Sequence, residues 1–354
     1  MKKISFLLIL LVGILSCKKV SNEIQSTQTT SNFHYLEKIS WMETTDSLVI
    51  FSNGNRFSIA QKELPLQSAM VIPTSGIAYL NELGLLSKIT GISQPDFIYN
   101  PEIQQLIREN KIVEIAGFDE IFVESVLLKK PDVLISTSSP NLARFYALLK
   151  KEGVKILLID EYEESKPLAR AEYVKIIGKL FGKENESIQL FKEIEKNYQD
   201  IQKEVQNQEG PKPTVLSNQI YGDIWYLAGG KSYQASLIGD AGGQYLWDSD
   251  ESTGSLHLSF ESVFEKAVKA DFWVNAGDFP SKAALLASYP NYEWFKAFKT
   301  GKIYNWNKRK SASGANDFFE TGTVRPDWVL KDLAAIFHPE LFPDYELYFY
   351  EQLK

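Results

Sequence analysis

The stretch ENESIQLFKEIEKNYQDIQKEV, residues 184–205, decides how the rest of the chain is arranged. Its apolar side chains recur at spacings of three and four residues, which places them on one face of an α-helix, and charged residues occupy the other face. Gly182 precedes the stretch and Gly-Pro-Lys-Pro at 210–213 follows it, so we expect the helix to begin and end there. Its length would be roughly 33 Å at 1.5 Å per residue. The apolar positions are Ile188, Phe191, Ile194, Tyr198, Ile201 and Val205.

Blocks of alternating strand and helix patterns lie on both sides of this helix and are nearly equal in length. The apolar runs at 132–136 and 155–160 are typical of strands covered on both faces of a parallel sheet. The same order of patterns begins again at Thr214. The sequence therefore predicts an α/β protein with two Rossmann-like lobes joined by one long α-helix. The predicted parts are an N-terminal lobe at 46–182 with a leading hairpin, the linking helix at 183–210 and a C-terminal lobe at 211–354.

The N-terminus carries a pattern typical of exported proteins. Lys2 and Lys3 precede an apolar segment from Ile4 to Leu15, which is too short to span a bilayer. The only cysteine, Cys17, follows at once, and this arrangement resembles the lipobox of bacterial lipoprotein signal peptides; a plain secretory signal is the alternative. We expect an extracytoplasmic lipoprotein, in the periplasm or cell envelope, anchored to the membrane by lipid on Cys17. A signal peptide at 1–16 and a flexible, polar tether at 17–45 complete this prediction.

Composition and motif content argue against several classes of protein. A net charge of −7 without an extended basic stripe argues against a nucleic-acid partner. No Gly-x-Ser-x-Gly elbow, phosphate-binding loop or His-Glu-x-x-His motif occurs, so we expect no enzyme; a hydrolase that uses His257 is the alternative. A site for a bare metal ion would need three or four converging His, Asp or Glu ligands, and His257 is the only histidine placed to reach a cleft. A purely structural lipoprotein would not need two matched lobes.

Four motifs, in order along residues 45–340, resemble those of the substrate-binding proteins of ABC importers for iron–siderophores, vitamin B12 and haem. Each is unspecific alone, but their order around one long helix matches that family. The resemblance implies the class III fold of periplasmic binding proteins and, as partners, a permease and an ATPase, with the protein itself a monomer. The motifs are Ser75-x-x-Ala78 with Leu83-Gly84 and Gly91-Ile-Ser93, Glu124-x-x-Leu127 with Lys130-Pro-Asp-Val-Leu-Ile135, Gly229-Gly230 with Ala241-Gly-Gly243, and Ser259-Phe-Glu261 with Ala270-Asp-Phe-Trp-Val274.

The resemblance also implies a docking carboxylate on each lobe. In this family an acidic residue on each lobe meets the permease, and the matching positions are Glu124 and Glu261. Two such carboxylates would fix the orientation in which the protein docks on the permease and would increase the rate of association. The alternative is that both are helix N-terminal carboxylates favoured by the helix dipole. Other nearby carboxylates that would suit the docking role are Glu120, Glu163 and Glu164.

Ligand is expected between the lobes, at the carboxyl ends of the strands. The basic run 308–310 beside Trp306 would suit an anionic chelate through charge-assisted hydrogen bonds, although a solvated surface run is the alternative. We therefore expect a ferric siderophore as ligand, with cobalamin or haem as alternatives, and no cofactor. Arg325 is expected to pin a carboxylate at the start of the last helix, 326–337, rather than reach into the cleft. The candidate ligand-binding residues are Tyr79, Tyr99, Tyr221, Trp225, Tyr226, Trp306 and Arg309.

Overall fold

The described part of the chain begins with a small antiparallel meander. The computed structural model describes residues 29–30 and 33–354. The predicted hairpin is confirmed, because two strands pair around an Asn-Gly turn in which Gly54 has a positive φ of 77°. The strand before the hairpin was not predicted and lies inside the range 17–45 that the sequence assigned to a tether. The strands are β1 (Thr29–Thr30), β2 (Ile39–Glu43), β3 (Ser47–Ser52) and β4 (Asn55–Ala60).

The N-terminal lobe is a five-stranded parallel sheet with helices on both faces. Its strand order is β7-β6-β5-β8-β9, and the central strands are buried throughout, as the continuous apolar runs predict. The strands are β5 (Ala69–Val71), β6 (Ile89–Ser93), β7 (Val113–Ala116), β8 (Val133–Ser136) and β9 (Ile156–Leu158). The helices are α1 (Thr74–Glu82), α2 (Pro101–Arg108), α3 (Val123–Lys129), α4 (Ala143–Lys151), α5 (Pro167–Glu172) and α6 (Val174–Leu180).

The predicted linking helix is confirmed as α7 (Glu184–Gln206), which has 23 residues. Its buried face carries Phe191, Ile194 and Tyr198, in agreement with the spacing of the apolar residues. The phenol of Tyr198 donates a hydrogen bond of 2.6 Å to Asp240 of the C-terminal lobe. The helix is therefore fixed to both halves of the molecule by its side chains as well as by the chain itself.

The C-terminal lobe combines a second five-stranded sheet with a small antiparallel sheet. The main order is β13-β10-β15-β16-β17, in which only β17 is antiparallel, and β11-β12-β14 form the small sheet. The strands are β10 (Thr214–Ser217), β11 (Ile220–Tyr221), β12 (Ile224–Ala228), β13 (Gln244–Tyr245), β14 (Ser255–Leu258), β15 (Phe272–Val274), β16 (Ile303–Asn305) and β17 (Glu351–Gln352). The helices are α8 (Tyr233–Asp240), α9 (Phe260–Ala267), α10 (Lys282–Ser288), α11 (Lys296–Thr300), α12 (Thr321–Val324) and α13 (Pro326–Phe337).

The two lobes contact each other beyond the linking helix. Helix α7 packs against α6 on one side and α13 on the other, and the short helix α12 packs against α1 and α5 of the N-terminal lobe. One hydrophobic cluster runs through both lobes and α7. Because they share a core, the lobes are restrained against wide hinge opening.

The described part of the chain contains no helix that is both long and apolar enough to cross a membrane. The predicted signal peptide at 1–16 and the predicted lipid site at Cys17 lie outside the described residues.

Candidate functional site

An inner cavity of about 200 Å³ lies between the lobes, beside the carboxyl ends of two C-terminal strands. Asn275 follows β15, and Trp306 follows β16, so both project from the sheet edge where parallel-sheet proteins bind their ligands. Arg170 comes from α5 of the opposite lobe. The cavity is therefore a true interlobe site. Its other lining residues are Tyr233, Gln234, Leu237, Ile238, Val274, Phe318, Phe319, Thr323, Leu333 and Tyr350.

An outer groove of about 340 Å³ continues along the same seam. Thr74 and Phe97 line it from the N-terminal lobe, where they follow β5 and β6. Trp306 and Phe319 line both the groove and the inner cavity. These two rings, 5.7 Å apart between centroids, therefore separate two compartments of one cleft. From the C-terminal lobe the groove is also lined by Asp278, Asn307, Lys310, Gly314, Ala315 and Asn316.

Residues 306–320 form a segment of the C-terminal lobe that reaches across the seam, and we call it the cleft segment. Its rings pack on one another: Trp306 stacks on Phe318 with centroids 4.9 Å apart. Polar contacts attach it to the N-terminal lobe. Thr74 Oγ1 donates to the Phe319 carbonyl over 3.4 Å, and Ser313 Oγ donates to the Asp96 carbonyl over 3.0 Å. The segment thus covers the cleft and is tied to both lobes.

Glu320 is the buried charge at the end of the cleft segment, and the sequence analysis did not single it out. Its carboxylate accepts backbone N–H hydrogen bonds from Tyr99 and Asn100, the second over 3.2 Å. Asn100 is the N-cap of α2, so this carboxylate lies near the positive end of a helix. Burial raises the pKa of the Glu320 carboxyl to about 7, the Tyr99 donor lowers it and the nearby Asp317 raises it. The seam therefore contains a carboxyl group that titrates near neutral pH.

The basic run 308–310 is paired residue by residue, which removes the reason for expecting an anionic chelate beside it. Arg309 Nε lies 2.6 Å from Asp317, and its guanidinium lies over the rings of Tyr99 and Tyr348 at 5.2 and 4.3 Å. Its neighbours bind carboxylates as well: Lys308 pairs with Glu346 at 2.7 Å, and Lys310 pairs with Asp278. A cation that already has a carboxylate partner offers much less to an incoming anion.

Of the predicted ligand-binding residues, only Trp306 lines the two compartments. Arg309 and Tyr99 contact each other across the lobes but line neither compartment. Two others are not in the cleft. Tyr79 is fully buried on the core face of α1, where its hydroxyl donates to the Arg170 carbonyl over 2.6 Å. Trp225 is fully buried as well, and its Nε1 donates to the Ser217 carbonyl over 3.1 Å.

Tyr221 and Tyr226 lie on the solvent face of the small antiparallel sheet rather than around either compartment. Tyr226 alternates with the buried Trp225 along β12, so the two rings face opposite sides of the sheet. Its ring lies 4.8 Å from that of His257, which is exposed there and not in the cleft. Tyr221 is 78% exposed. The two-residue period of these strands was not recognised in the sequence, and Tyr221 and Tyr226 were therefore wrongly expected in the cleft.

Arg325 pins carboxylates at the start of α13, as expected. Its Nε and Nη2 donate to Asp327 over 3.0 and 2.7 Å, and its guanidinium also lies 3.6 Å from Glu82 and 3.5 Å from Glu193. These three carboxylates belong to α13, α1 and α7. The arginine therefore joins both lobes to the linking helix and is not a residue of the cleft.

Glu124 and Glu261 are both exposed, each in the first turn of a helix, α3 and α9. Such placement fits the docking role and equally fits a carboxylate that interacts with the helix dipole. Their docking role stays a prediction. Within residues 33–354, no group of three or more His, Cys, Asp or Glu residues is arranged to hold a metal ion.

Asn275 is the other residue that the sequence analysis missed. It lies at the carboxyl end of β15 with a φ of 60°, a conformation that asparagine adopts more readily than most residues. Its side chain is 4% exposed, and its Oδ1 has no hydrogen-bond partner among the described residues. A buried polar atom without a partner is costly, and this oxygen has almost no accessible surface, so it faces the protein interior rather than the cavity.

Comparison with known proteins agrees with this two-lobed arrangement. The chain is 26% identical over 310 residues to an uncharacterized lipoprotein of Methanocaldococcus jannaschii, covering 84% of this chain and 70% of that protein. A possible iron-binding, periplasmic solute-binding protein from Staphylococcus epidermidis has a similar structure, with a TM-score of 0.62, 18% identity and coverage of 77% of this chain and 99% of that one. A periplasmic heme binding protein from Pseudomonas aeruginosa gives a TM-score of 0.60, 19% identity and coverage of 82% and 98%.

The family assignment comes from the sequence as well as from the fold. A family model described as periplasmic binding protein matches residues 71–310, which is more than half of the chain. That range takes in the linking helix, the first part of the cleft segment and the strands of both five-stranded sheets except β17 and the start of β5. The two α/β lobes, the single long helix and the cleft between them are the features of the class III fold. The chain belongs to the periplasmic binding protein family.

Proposed function

We propose that this chain is the substrate-binding component of an ABC importer, which captures a ferric siderophore between its lobes and delivers it to the permease. The observation that carries the proposal is the divided cleft. Both compartments lie between the lobes at the carboxyl ends of the strands, and aromatic rings separate them. An aromatic, partly apolar cleft with few polar groups is typical of small-molecule sites.

The ligand in this proposal is an iron complex, with haem and cobalamin as the alternatives. Two proteins of similar structure, one described as a possible iron-binding protein and one as a heme binding protein, support an iron-containing ligand. The basic run 308–310 lends no support, because each of its cations has a carboxylate partner. We expect rings and hydrogen-bonding groups, with Arg170 as the cation of the inner cavity, to hold the ligand.

A complete chelate needs more room than the inner cavity offers. Sites for drug-sized ligands measure roughly 300–1,000 Å³; the outer groove, at about 340 Å³, is at the lower end of this range and the inner cavity, at about 200 Å³, is below it. Binding of a chelate that fills both compartments therefore requires the rings of Trp306 and Phe319 to move apart. Phe319 is 53% exposed, so its side chain has space to turn outward. Because the lobes share a core, we expect the cleft to open by displacement of the cleft segment rather than by a wide hinge motion.

A ligand panel tests this proposal. Purified protein is mixed with ferric catecholate, hydroxamate and citrate complexes, haemin or cyanocobalamin, and the melting temperature is measured. We expect a ferric complex to raise the melting temperature, because a ligand that binds only the native state stabilises it. A shift with cyanocobalamin alone would replace the proposed ligand, and no shift with any compound would contradict the proposal.

The remaining parts of the proposal concern partners and location. We propose a permease and an ATPase as partners, docking through Glu124 and Glu261, and an extracytoplasmic monomer held at the membrane by lipid on Cys17. The protein would bind its ligand without transforming it. Metabolic labelling of cells with a fatty-acid analogue tests the anchor, since Cys17→Ser is expected to abolish labelling.

A further inference from the structure

The cleft segment, residues 306–320, is folded as a unit of its own. The Ser311 N–H donates to the Ala315 carbonyl over 2.8 Å, and Gly314, with a φ of 96°, forms the turn between them. The Asp317 N–H donates to the Arg309 carbonyl over 3.0 Å, and the side chains of the same two residues are paired. Because these bonds are internal, the segment can move against the N-terminal lobe without losing its own structure.

The segment is held more firmly by its own lobe than by the opposite one. Lys308 pairs with Glu346 at 2.7 Å, and Lys310 pairs with Asp278; both carboxylates belong to the C-terminal lobe. Among the described residues, no ion pair joins the segment to the N-terminal lobe, which it meets through hydrogen bonds and one cation–ring contact. Release of these contacts would therefore leave the segment attached to the C-terminal lobe.

Glu320 is the group in these contacts whose charge changes near neutral pH. It is 3% exposed, and its carboxylate accepts N–H bonds from Tyr99 and Asn100 but has no lysine or arginine partner among the described residues. A buried carboxylate without a cationic partner is disfavoured in its ionised form. Burial accordingly raises the pKa of Glu320 to about 7, the Tyr99 N–H lowers it and the nearby Asp317 raises it.

The charges on the elements around Glu320 do not offset its burial. Helix α12 follows it directly and packs against α1, α5 and α13, while Asn100 begins α2. Glu82 of α1 and Asp327 of α13 bind Arg325. Arg170 of α5 donates to two backbone carbonyls. The remaining charged residues of these helices, none of which pairs with Glu320, are Glu102, Arg108, Glu172, Lys331 and Asp332.

Opening of the seam would return Glu320 to water. There its carboxyl group has an ordinary pKa of 4.5, so the closed arrangement binds the proton more tightly than the open one does. The preference for the closed arrangement is therefore greatest below about pH 4.5 and decreases as the pH rises to about 7. Trp306 and Phe319 belong to the segment and separate the two compartments, so release of the segment would join the compartments.

We propose that the cleft segment is a pH-sensitive latch: Glu320 holds it on the N-terminal lobe while protonated, and ionisation of Glu320 releases it and opens the inner cavity to the outer groove. Its role in ligand access rests on the proposed function, because the two compartments are there taken as the ligand site. The latch itself depends only on the contacts of the segment. A ligand that fills both compartments accordingly gains access more readily above neutral pH than at acidic pH.

Hydrogen exchange of the Tyr99 and Asn100 amides tests the latch without a ligand, because Glu320 accepts these two protons. Exchange is followed by NMR on the full chain at about pH 5 and about pH 8, and each rate is divided by the intrinsic rate at that pH. We expect protection of both protons to fall at least about tenfold at the higher pH. Protection should not change in Glu320→Gln, which keeps an acceptor oxygen but cannot ionise. The control Glu265→Gln, at an exposed position, should behave like the unmodified protein.

Two results of the exchange experiment would overturn the latch. If the Tyr99 and Asn100 amides are protected as strongly as the buried Leu134 amide of β8 at both pH values, the segment opens only when the whole protein unfolds. If protection falls equally in the unmodified protein and Glu320→Gln, or falls in neither, Glu320 does not control the segment.

Affinity measurements test ligand access. The probes are the ferric catecholate, hydroxamate and citrate complexes, whose Kd values are measured for the unmodified protein and Glu320→Gln at both pH values. The ratio of the two Kd values at each pH cancels the titration of the complex itself. We expect the Kd of the unmodified protein, relative to that of the variant, to fall at least about tenfold from pH 5 to pH 8, because a larger fraction of the protein is open.

The outcomes for the latch and for the proposed function are distinguishable. A Kd ratio that does not change with pH would overturn the role of the latch in ligand access and leave the importer function standing. If no ferric complex binds either protein, the proposed ligand is wrong, and the exchange experiment still decides whether Glu320 controls the segment.

Discussion

Glu320 carries a buried charge across the seam between the lobes. Its carboxylate accepts two N–H bonds from the N-terminal lobe, while Asp317 of its own segment raises its pKa. Arg309 of the same segment is bound to Asp317. Because the ionised carboxylate is disfavoured by burial, the contact between the cleft segment and the N-terminal lobe depends on pH.

The pKa of Glu320 predicts a loss of stability as pH rises. Its pKa is about 7 in the native state against an ordinary 4.5, so the native state binds the proton more tightly than the unfolded chain does. The contribution of Glu320 to the free energy of unfolding therefore decreases by at most about 3 kcal/mol between about pH 4.5 and 7 and is constant at higher pH. We expect this decrease in the unmodified protein and not in Glu320→Gln, as measured by urea unfolding across that range.

Subtracting the unfolding free energies of the two proteins cancels the contribution of all other titrating groups. The quantity to compare is the difference in unfolding free energy between the unmodified protein and Glu320→Gln at each pH. A difference that stays constant from pH 4.5 to 7.5 would contradict the assignment. The exposed Glu265→Gln serves as the control and should give a flat difference.

At the scale of secondary-structure elements, Gly178 sets the distance between α6 and the linking helix. A Cβ added at this position would lie 2.2 Å from Ser187 Oγ and 2.7 Å from the Lys183 carbonyl. Ser187 is fully buried, and its hydroxyl donates to the Glu184 carbonyl over 2.8 Å, so it has no free space to move into. The close crossing of the two helices thus requires a residue without a side chain.

Substitution of Gly178 by alanine is expected to destabilise the protein by about 1–3 kcal/mol, the usual cost of overpacking. The matched control is Gly239→Ala in α8, where nothing lies within 4 Å of an added Cβ. That change should be neutral or should stabilise by up to about 1 kcal/mol, because alanine favours a helix. Urea unfolding measures the change in unfolding free energy for both variants, provided that their m-values equal that of the unmodified protein. Equal effects of the two substitutions would contradict the packing argument.

At the scale of the whole molecule, two exposed carboxylates stand on opposite lobes joined by a rigid helix. If Glu124 and Glu261 dock the permease, the distance between them matters more than either charge alone. We expect the double variant Glu124→Ala/Glu261→Ala to reduce ligand uptake by cells on the order of tenfold or more, with ligand affinity unchanged in calorimetry. Neither side chain lies in the cleft, so affinity should not respond.

The control for this experiment removes two exposed carboxylates outside α3 and α9, in Glu102→Ala/Glu209→Ala. It changes the net charge by the same amount and should leave uptake intact. Normal uptake by the Glu124/Glu261 double variant would show that other carboxylates, or none, dock the permease.

The elements that the sequence predicts well have strong local signals. Helix α7 has a long apolar period bounded by glycine and proline, and the strands at 133–136 and 272–274 are short apolar runs. The small sheet β11-β12-β14 was missed, because its strands are short and only one face of β12 is buried. Trp225 and Tyr226 were consequently both assigned to the cleft, although alternation along a strand sends them to opposite faces.

At the site, sequence reasoning found the residues whose type alone attracts notice. Trp306 was named and lines both compartments, whereas Tyr99 and Arg309 were named and contact each other across the lobes outside both compartments. Glu320 and Asn275 were not, because an acidic residue and an asparagine in a polar stretch resemble surface residues until their burial is known. The charge on 308–310 was overestimated for the same reason. Glu346 and Asp278 lie 38 and 32 residues from the lysines they pair with, and Asp317 meets Arg309 only because the cleft segment folds back on itself.

The order of apolar residues and of helix-breaking glycines and prolines along the chain was sufficient to determine two α/β lobes and the linking helix between them. Backbone periodicity and chain direction are local properties, so a sequence pattern records them. Which side chains line the cleft was decided only by tertiary packing. The cleft segment from one lobe lies across the other, and its Trp306 and Phe319 separate the two compartments. Burial and charge pairing depend on residues distant in sequence, and no local pattern records them.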